Sequence, residues 1–210
     1  IRIMYTWTMF YFARLLEADK QYEEAVVQFN KALSMDKSHT EIYKDISDVY
    51  EKKRDFPKAI EAYKNYLDEM KSSPDISDLF LYGRLNYYAA TDSAYQDKQP
   101  TYLAEADTIF AQVAVKVPDN YLGNFWRARV NSLRDPETTQ GLAKPYYEAA
   151  LSILEQKPDA TKSVLVECNS YLGYYYFVKE DYNQSKQYWN KILEIDPENE
   201  TATKALGGIK

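Results

Sequence analysis

The chain repeats itself. Sliding the sequence by 34 residues lays Gln21 to His39 (QYEEAVVQFNKALSMDKSH) over Asp55 to Ser73 (DFPKAIEAYKNYLDEMKSS). The shift sets Ala25 on Ala59, Phe29 on Tyr63 and Leu33 on Leu67, and further upstream it sets Ala13 on Ser47. Near the C-terminal end DYNQSKQYWNKILEIDPEN (Asp181 to Asn199) returns to the pattern with Ser185, Trp189 and Leu193. A unit of this length is one supersecondary element that cannot bury its apolar face alone, so successive units must stack. A small residue lets two antiparallel helices approach closely. An aromatic four residues later lies on the same helix face and fills the gap beside it. No segment alternates with period two over a useful length, so essentially no strand is expected.

These residues make the chain resemble the tetratricopeptide repeat family. The family places a small residue in the first helix of each hairpin, and Ala13, Ser47, Gly83, Ala128 and Gly173 stand there. It places another early in the second helix, where Ala25, Ala59, Ala106, Ala143 and Ser185 stand, followed four residues on by Phe29, Tyr63, Phe110, Tyr147 and Trp189. The closing proline follows in two units, as Pro118 and Pro197, while Lys37, Lys71 and Glu155 occupy the other three slots. The resemblance implies an all-α right-handed solenoid of about five hairpins, at 6–39, 40–73, 76–120, 121–157 and 166–199. A short terminal helix follows over 200–210, and one domain covers 1–210. The third unit carries about eleven extra residues around Thr91 to Pro100 and the fourth three extra near Arg134 to Gly141, both expected as loops. A linker, QKPDATKS, joins units four and five.

Composition narrows the function. The net charge of −6 and the absence of a long basic run disfavour nucleic acid and anionic membrane as partners. No apolar stretch approaches the ~20 residues of a membrane span. Cys168 and His39 are the only residues of their kinds, which removes a metal site built on them and any intrachain disulfide. Cys168 is expected as a packing residue. No phosphate-cradling glycine loop and no nucleophile elbow is present, so no catalytic residue and no cofactor is assigned. Carboxylates such as Glu23, Glu24 and Asp196 are read as solvated charge.

In the resembled family the first helices line a concave groove, reached by the residues three before and one after the small slot. Those positions hold Phe10 and Arg14, Lys44 and Asp48, Phe80 and Arg84, Phe125 and Arg129, Ser170 and Tyr174. Three units read Phe-x-x-x-Arg (FYFAR, FLYGR and FWRAR), an i, i+4 pair on one face. Phe10, Arg14, Lys44, Phe80, Arg84, Phe125, Arg129 and Tyr174 are therefore the candidate groove, suited to a peptide with carboxylate and apolar groups. The opposing reading has the phenylalanines packing between first helices and the arginines covering them. One subclass of the family grips the C-terminal carboxylate of heat-shock chaperones; Lys44 matches one of its lysines, but Asp48 stands where its asparagine belongs.

The resemblance implies a non-enzymatic scaffold for a protein or peptide. A second reading makes it an envelope-associated carbohydrate-binding or sugar-uptake component that uses the groove aromatics. The later half (YLGNFWRAR, GLAKPYYEAAL, YLGYYYF) resembles uncharacterised bacterial tetratricopeptide proteins exported to the periplasm, although the residues themselves leave the cytoplasm open. The apolar first helix (Ile1, Ile3, Met4, Trp7, Met9, Phe12) raises the expectation of cover by further N-terminal repeats or a second copy in a homo-oligomer.

Overall fold

Apolar residues spaced three and four apart bury one stripe of each helix, and eleven α-helices form among the described residues. The computed structural model describes residues 2–70 and 72–209, without the side chains of Arg2 and Ile3. What the sequence suggested for Ile1, Ile3 and Lys71 lies outside these described residues. The chain divides into two compact units, Ile1–Tyr102 and Leu103–Lys210. The first contains α1 (Arg2–Ala18), α2 (Tyr22–Met35), α3 (Ile42–Lys52), α4 (Phe56–Glu69) and α5 (Ile76–Thr91), followed by a short 3-10 helix (Ser93–Lys98). The second contains nearly all of α6 (Gln99–Lys116), then α7 (Leu122–Arg134), α8 (Lys144–Leu154), α9 (Lys162–Val178), α10 (Tyr182–Ile195) and α11 (Glu200–Gly208), the expected short terminal helix. Within each unit the helices pack on their immediate neighbours in the chain, α1 to α5 in one and α7 to α11 in the other. That is the nearest-neighbour pattern of a helical solenoid. No strand occurs among the described residues.

The small slots lie where the helices of a hairpin meet. Ala13, Ala25, Ala59, Ala106, Ala128, Ala143 and Ser185 are fully buried, and Ser47 nearly so. The contact is direct. Ser47 Oγ donates to the Ala59 carbonyl at 2.8 Å across α3 and α4, and Ser185 Oγ donates to the Gly173 carbonyl at 2.7 Å across α10 and α9. The same slot pair is bonded in both hairpins, once from the first helix and once from the second. Beside it, Phe29, Tyr63, Phe110, Tyr147 and Trp189 are buried. The largest of these aromatics stands by a slot with no side chain: a Cβ on Gly173 would lie 2.7 Å from the Trp189 ring.

Three hairpins turn in the same way. Lys20, Arg54 and Glu180 each stand seven residues after their small slot with φ of 61°, 60° and 60°. In the second hairpin the Asp55 N–H returns to the Tyr50 carbonyl and the Arg54 N–H to Glu51; in the fifth, Asp181 returns to Tyr176 and Glu180 to Phe177. This is the Schellman closure, which usually recruits glycine because a Cβ is strained in the left-handed region.

The two extra segments are anchored rather than free. In the third unit Asp92 accepts the Arg54 guanidinium at 2.7 and 3.1 Å, Tyr95 donates to the Arg54 carbonyl at 3.1 Å, and the Tyr95 ring stands 6.3 Å from Phe56. The segment thus folds back on the turn between α3 and α4. In the fourth unit Asp135 is buried and accepts the backbone N–H groups of Gln140, Gly141 and Leu142 at 3.0, 2.7 and 3.3 Å. Burial works against its charge, but these bonds prevail and hold the carboxyl below the usual carboxylate range.

Two stability outcomes are expected. Gly173→Ala forces a methyl group into the Trp189 ring and destabilises the chain by about 1–3 kcal/mol, and Trp189→Phe in the same chain recovers part of that loss; chemical denaturation of the two single variants and the double variant checks it. Lys20→Gly relieves a left-handed residue that carries a Cβ, and the net gain after glycine's own entropy is about 0.5 kcal/mol, read as a raised denaturation midpoint.

Candidate functional site

The candidate groove residues fall on five first helices: Phe10 and Arg14 on α1, Lys44 on α3, Phe80 and Arg84 on α5 in the first unit, Phe125 and Arg129 on α7 and Tyr174 on α9 in the second. Their burial differs. Phe125 is only 4 % exposed and meets the Tyr147 ring edge-on at 6.2 Å. Phe10 is half-buried, with its ring 5.7 Å from Phe29. Phe80 is half-buried. Tyr174 is exposed and lines an apolar pocket of about 230 Å³ with Phe177, Trp189, Ala205 and Ile209.

Each basic candidate meets a carboxylate on a neighbouring first helix. Arg14 reaches Asp45 of α3 at 2.9 Å and Glu17 of its own helix at 3.2 Å. Lys44 reaches Asp78 of α5 at 2.7 Å and lies 4.3 Å from the centre of the Tyr66 ring. Arg84 turns back to Glu51 of α3 at 3.8 Å. Arg129 takes Glu167 of α9 in a two-point bond of 2.7 and 2.6 Å, with its guanidinium 4.5 Å over Phe125 and 5.0 Å over Trp126. The guanidinium stripe read from the sequence is therefore interleaved with acid. Arg14 keeps about half of its side chain in solvent, whereas Lys44, Arg84 and Arg129 keep about a third.

The carboxylates were not singled out by the sequence reading, which placed most acid in water. Glu17, Asp45, Asp78, Asp92 and Asp135 are instead buried. Asp78 joins three helices: it closes the capping box of α5 with Asp75, accepts from Lys44, and accepts from the Tyr63 and Tyr66 hydroxyls at 3.3 and 3.4 Å. Burial pushes the Asp45 carboxyl up to about 6, and the neighbouring Asp48 and Glu17 add to the effect while Arg14 and Lys44 oppose it. Burial likewise raises Asp48 and Glu51. A signal for these pairs exists in the sequence. Lys44 and Asp78 stand 34 residues apart, Glu17 and Lys52 35, and Arg129 and Glu167 38, because corresponding positions of successive units become neighbours.

Cys168 is fully buried, and burial pushes its thiol up to about 12, with Glu167 adding and Arg129 opposing. It packs as an inert thiol, as its sequence context indicated. Among the described residues no helix is long and apolar enough to cross a membrane.

The model of the tetratricopeptide repeat matches residues 11–39 and 171–199. No curated protein matches the chain. Among solved structures, the C-terminal part of a TPR repeat-containing protein from Cytophaga hutchinsonii superposes with a TM-score of 0.82 at 30 % identity, covering 96 % of this chain and 73 % of that one. MamA superposes with a TM-score of 0.66 at 15 % identity, over 91 % of this chain and 92 % of its own. YrrB, described as a TPR protein with an unusual peptide-binding site, superposes at 0.61 with 19 % identity, over 94 % of this chain and 89 % of its own. The last two likenesses are of fold alone.

The raised Asp45 carboxyl has a pH signature. Between the ordinary aspartate value of 3.8 and about 6 the folded chain binds more protons than the unfolded one, so its contribution to stability falls as pH rises through that window. Asp45→Asn removes the penalty. Relative to the parent, the variant is expected to gain about 1–3 kcal/mol between pH 4 and pH 7.5, read from denaturation curves at both values.

Proposed function

The chain belongs to the tetratricopeptide repeat family, and from that membership we propose that it is a non-catalytic scaffold that holds a protein or peptide segment along its first helices. The observation that carries this reading is the set of charge pairs between first helices within each unit, Arg14–Asp45 and Lys44–Asp78 in the first and Arg129–Glu167 in the second, with the half-buried Phe10 ring beside Arg14. Each basic group is held in place by its carboxylate yet remains partly open to solvent, so an incoming acidic side chain can share it without first ordering a free arginine. The half-buried Phe10 ring beside the Arg14 guanidinium offers apolar contact at the same position. The described peptide-binding site of YrrB supports the same class of partner on a like fold.

The arrangement favours a partner of mixed charge over a purely acidic one, because Asp48 and Glu51 lie on the same helix as Lys44. Burial raises both carboxyls, with Glu17 adding to the effect at Asp48 and Asp48 at Glu51. Chemistry has no equivalent support. The buried thiol is protonated, and the buried carboxylates serve helix caps, turns and ion pairs.

The partner is to be isolated by capture on the immobilised chain at low salt and its affinity measured by calorimetry. Arg84→Gln with Arg129→Gln is expected to weaken that affinity at least roughly tenfold, and rising salt to weaken it further, with circular dichroism unchanged. An affinity that ignores both changes refutes the groove.

A further inference from the structure

The linker QKPDATKS leads into a helix that begins early. α9 starts at Lys162, eleven residues ahead of its small slot Gly173, whereas α3, α5 and α7 start five to seven residues ahead of Ser47, Gly83 and Ala128. Residues 162–165 thus add a turn at the N-terminal end of α9. With the linker and the C-terminal ends of α8 and α10, this turn borders an open cavity of about 440 Å³ in the second unit. Leu151, Leu154, Pro158, Leu165 and Ile195 give it apolar walls. None of the groove candidates lines it.

Two polar features of this cavity are left open by the chain. Asn169 lines it and is 1 % exposed; its Nδ2 group donates to the Leu165 carbonyl at 2.7 Å, while its Oδ1 accepts from no group among the described residues. A buried amide oxygen without a donor costs stability that a ligand N–H would restore. The second feature is the start of α9. Thr161 supplies no side-chain cap and the first turn holds no acid, so Lys162 stands where the helix end favours a negative charge. The charges around the cavity lean the same way. Glu155 is matched by Lys191 at 2.9 Å, which leaves Lys157 and Lys162 against Glu194 in a chain whose net charge is −6.

We propose that this cavity binds an extended segment of a partner protein in which apolar residues are followed by an acidic one. A backbone N–H of the segment donates to Asn169 Oδ1. Its apolar side chains lie on Leu151, Leu154, Leu165 and Ile195. Its carboxylate meets Lys157, Lys162 and the first N–H groups of α9. The span selects a peptide over a single amino acid. Lys162 and Asn169 stand seven residues apart on one helix, about 10 Å, which is the reach of about three extended residues. The site shares no residue with the ion pairs of the proposed groove, so either reading can fail alone.

The test titrates the probe peptide acetyl-Leu-Ala-Leu-Asp-amide into the isotope-labelled chain and follows backbone amides by NMR. Shifts are expected at Leu154, Lys157, Lys162, Leu165 and Asn169, and none around Arg14 or Arg84. Replacing the probe's Asp by Asn weakens binding at least roughly fivefold, and so does Lys162→Glu, a change at an exposed position. Asn169→Leu keeps the volume of the side chain while removing its amide, and weakens binding to a similar degree with circular dichroism unchanged. Arg84→Gln leaves the affinity unaltered. Absence of shifts at the cavity residues up to about 5 mM probe overturns the proposal. Shifts centred on the ion pairs of the first helices, or binding indifferent to both Lys162→Glu and Asn169→Leu, overturn it as well.

Discussion

Everything in this chain depends on how closely two helices of a hairpin can approach. At the point of contact the two slots touch through a hydroxyl and a carbonyl, Ser47 on Ala59 in one hairpin and Ser185 on Gly173 in another. A larger side chain at either slot would push the helices apart and empty the space that the neighbouring aromatic fills. The aromatic and the slot are therefore one unit of packing. Trp189 has the largest ring and stands over a slot without a side chain, Gly173, whereas Phe29 and Tyr147 belong to hairpins whose first helices carry alanine there. Because interiors pack at near-crystalline density, such size matching is felt at the level of a single methyl group.

Once the helices are held in series, electrostatics follows from geometry. Equivalent positions of consecutive first helices become neighbours, so charges one repeat apart in the sequence meet in space. Lys44 finds Asp78 and Arg129 finds Glu167 by this rule, and Glu17 gathers Arg14 and Lys52. Partial burial removes water from the carboxylates, which lifts the Asp45 carboxyl toward neutral pH even with an arginine beside it. These pairs hold arginines in defined orientations on a face that also carries aromatic rings. That is a useful property for a surface meant to grip a peptide, since little side-chain entropy remains to be lost on binding.

The insertions show how such an array tolerates irregularity. Residues 93–98 and the turn after α7 add length without disturbing the small slots, because each is tied down by one buried aspartate. Asp92 holds the guanidinium of Arg54, and Asp135 collects three consecutive backbone N–H groups. An aspartate can do this because its short side chain accepts several bonds at once, whereas a longer acid would lose more rotamer freedom in the same place.

The hairpin architecture was legible in the sequence, since small residues and aromatics recur at a spacing only stacked helix pairs can use, and Ala59 with Tyr63 or Ser185 with Trp189 announce their own packing. The inert Cys168 was legible as well, from the absence of basic neighbours along the chain. What required tertiary structure was the environment of charge. FYFAR, FLYGR and FWRAR display their arginines in the sequence, but the carboxylates that meet them belong to other helices, up to 38 residues away, and local pattern carries no sign of which face water leaves. Burial of Asp45 and Asp78 and the return of Tyr95 to the α3–α4 turn were likewise decided in three dimensions. A repeat states what each helix must present to its neighbour, whereas whether a neighbour is there, and what charge it brings, depends on the packed chain.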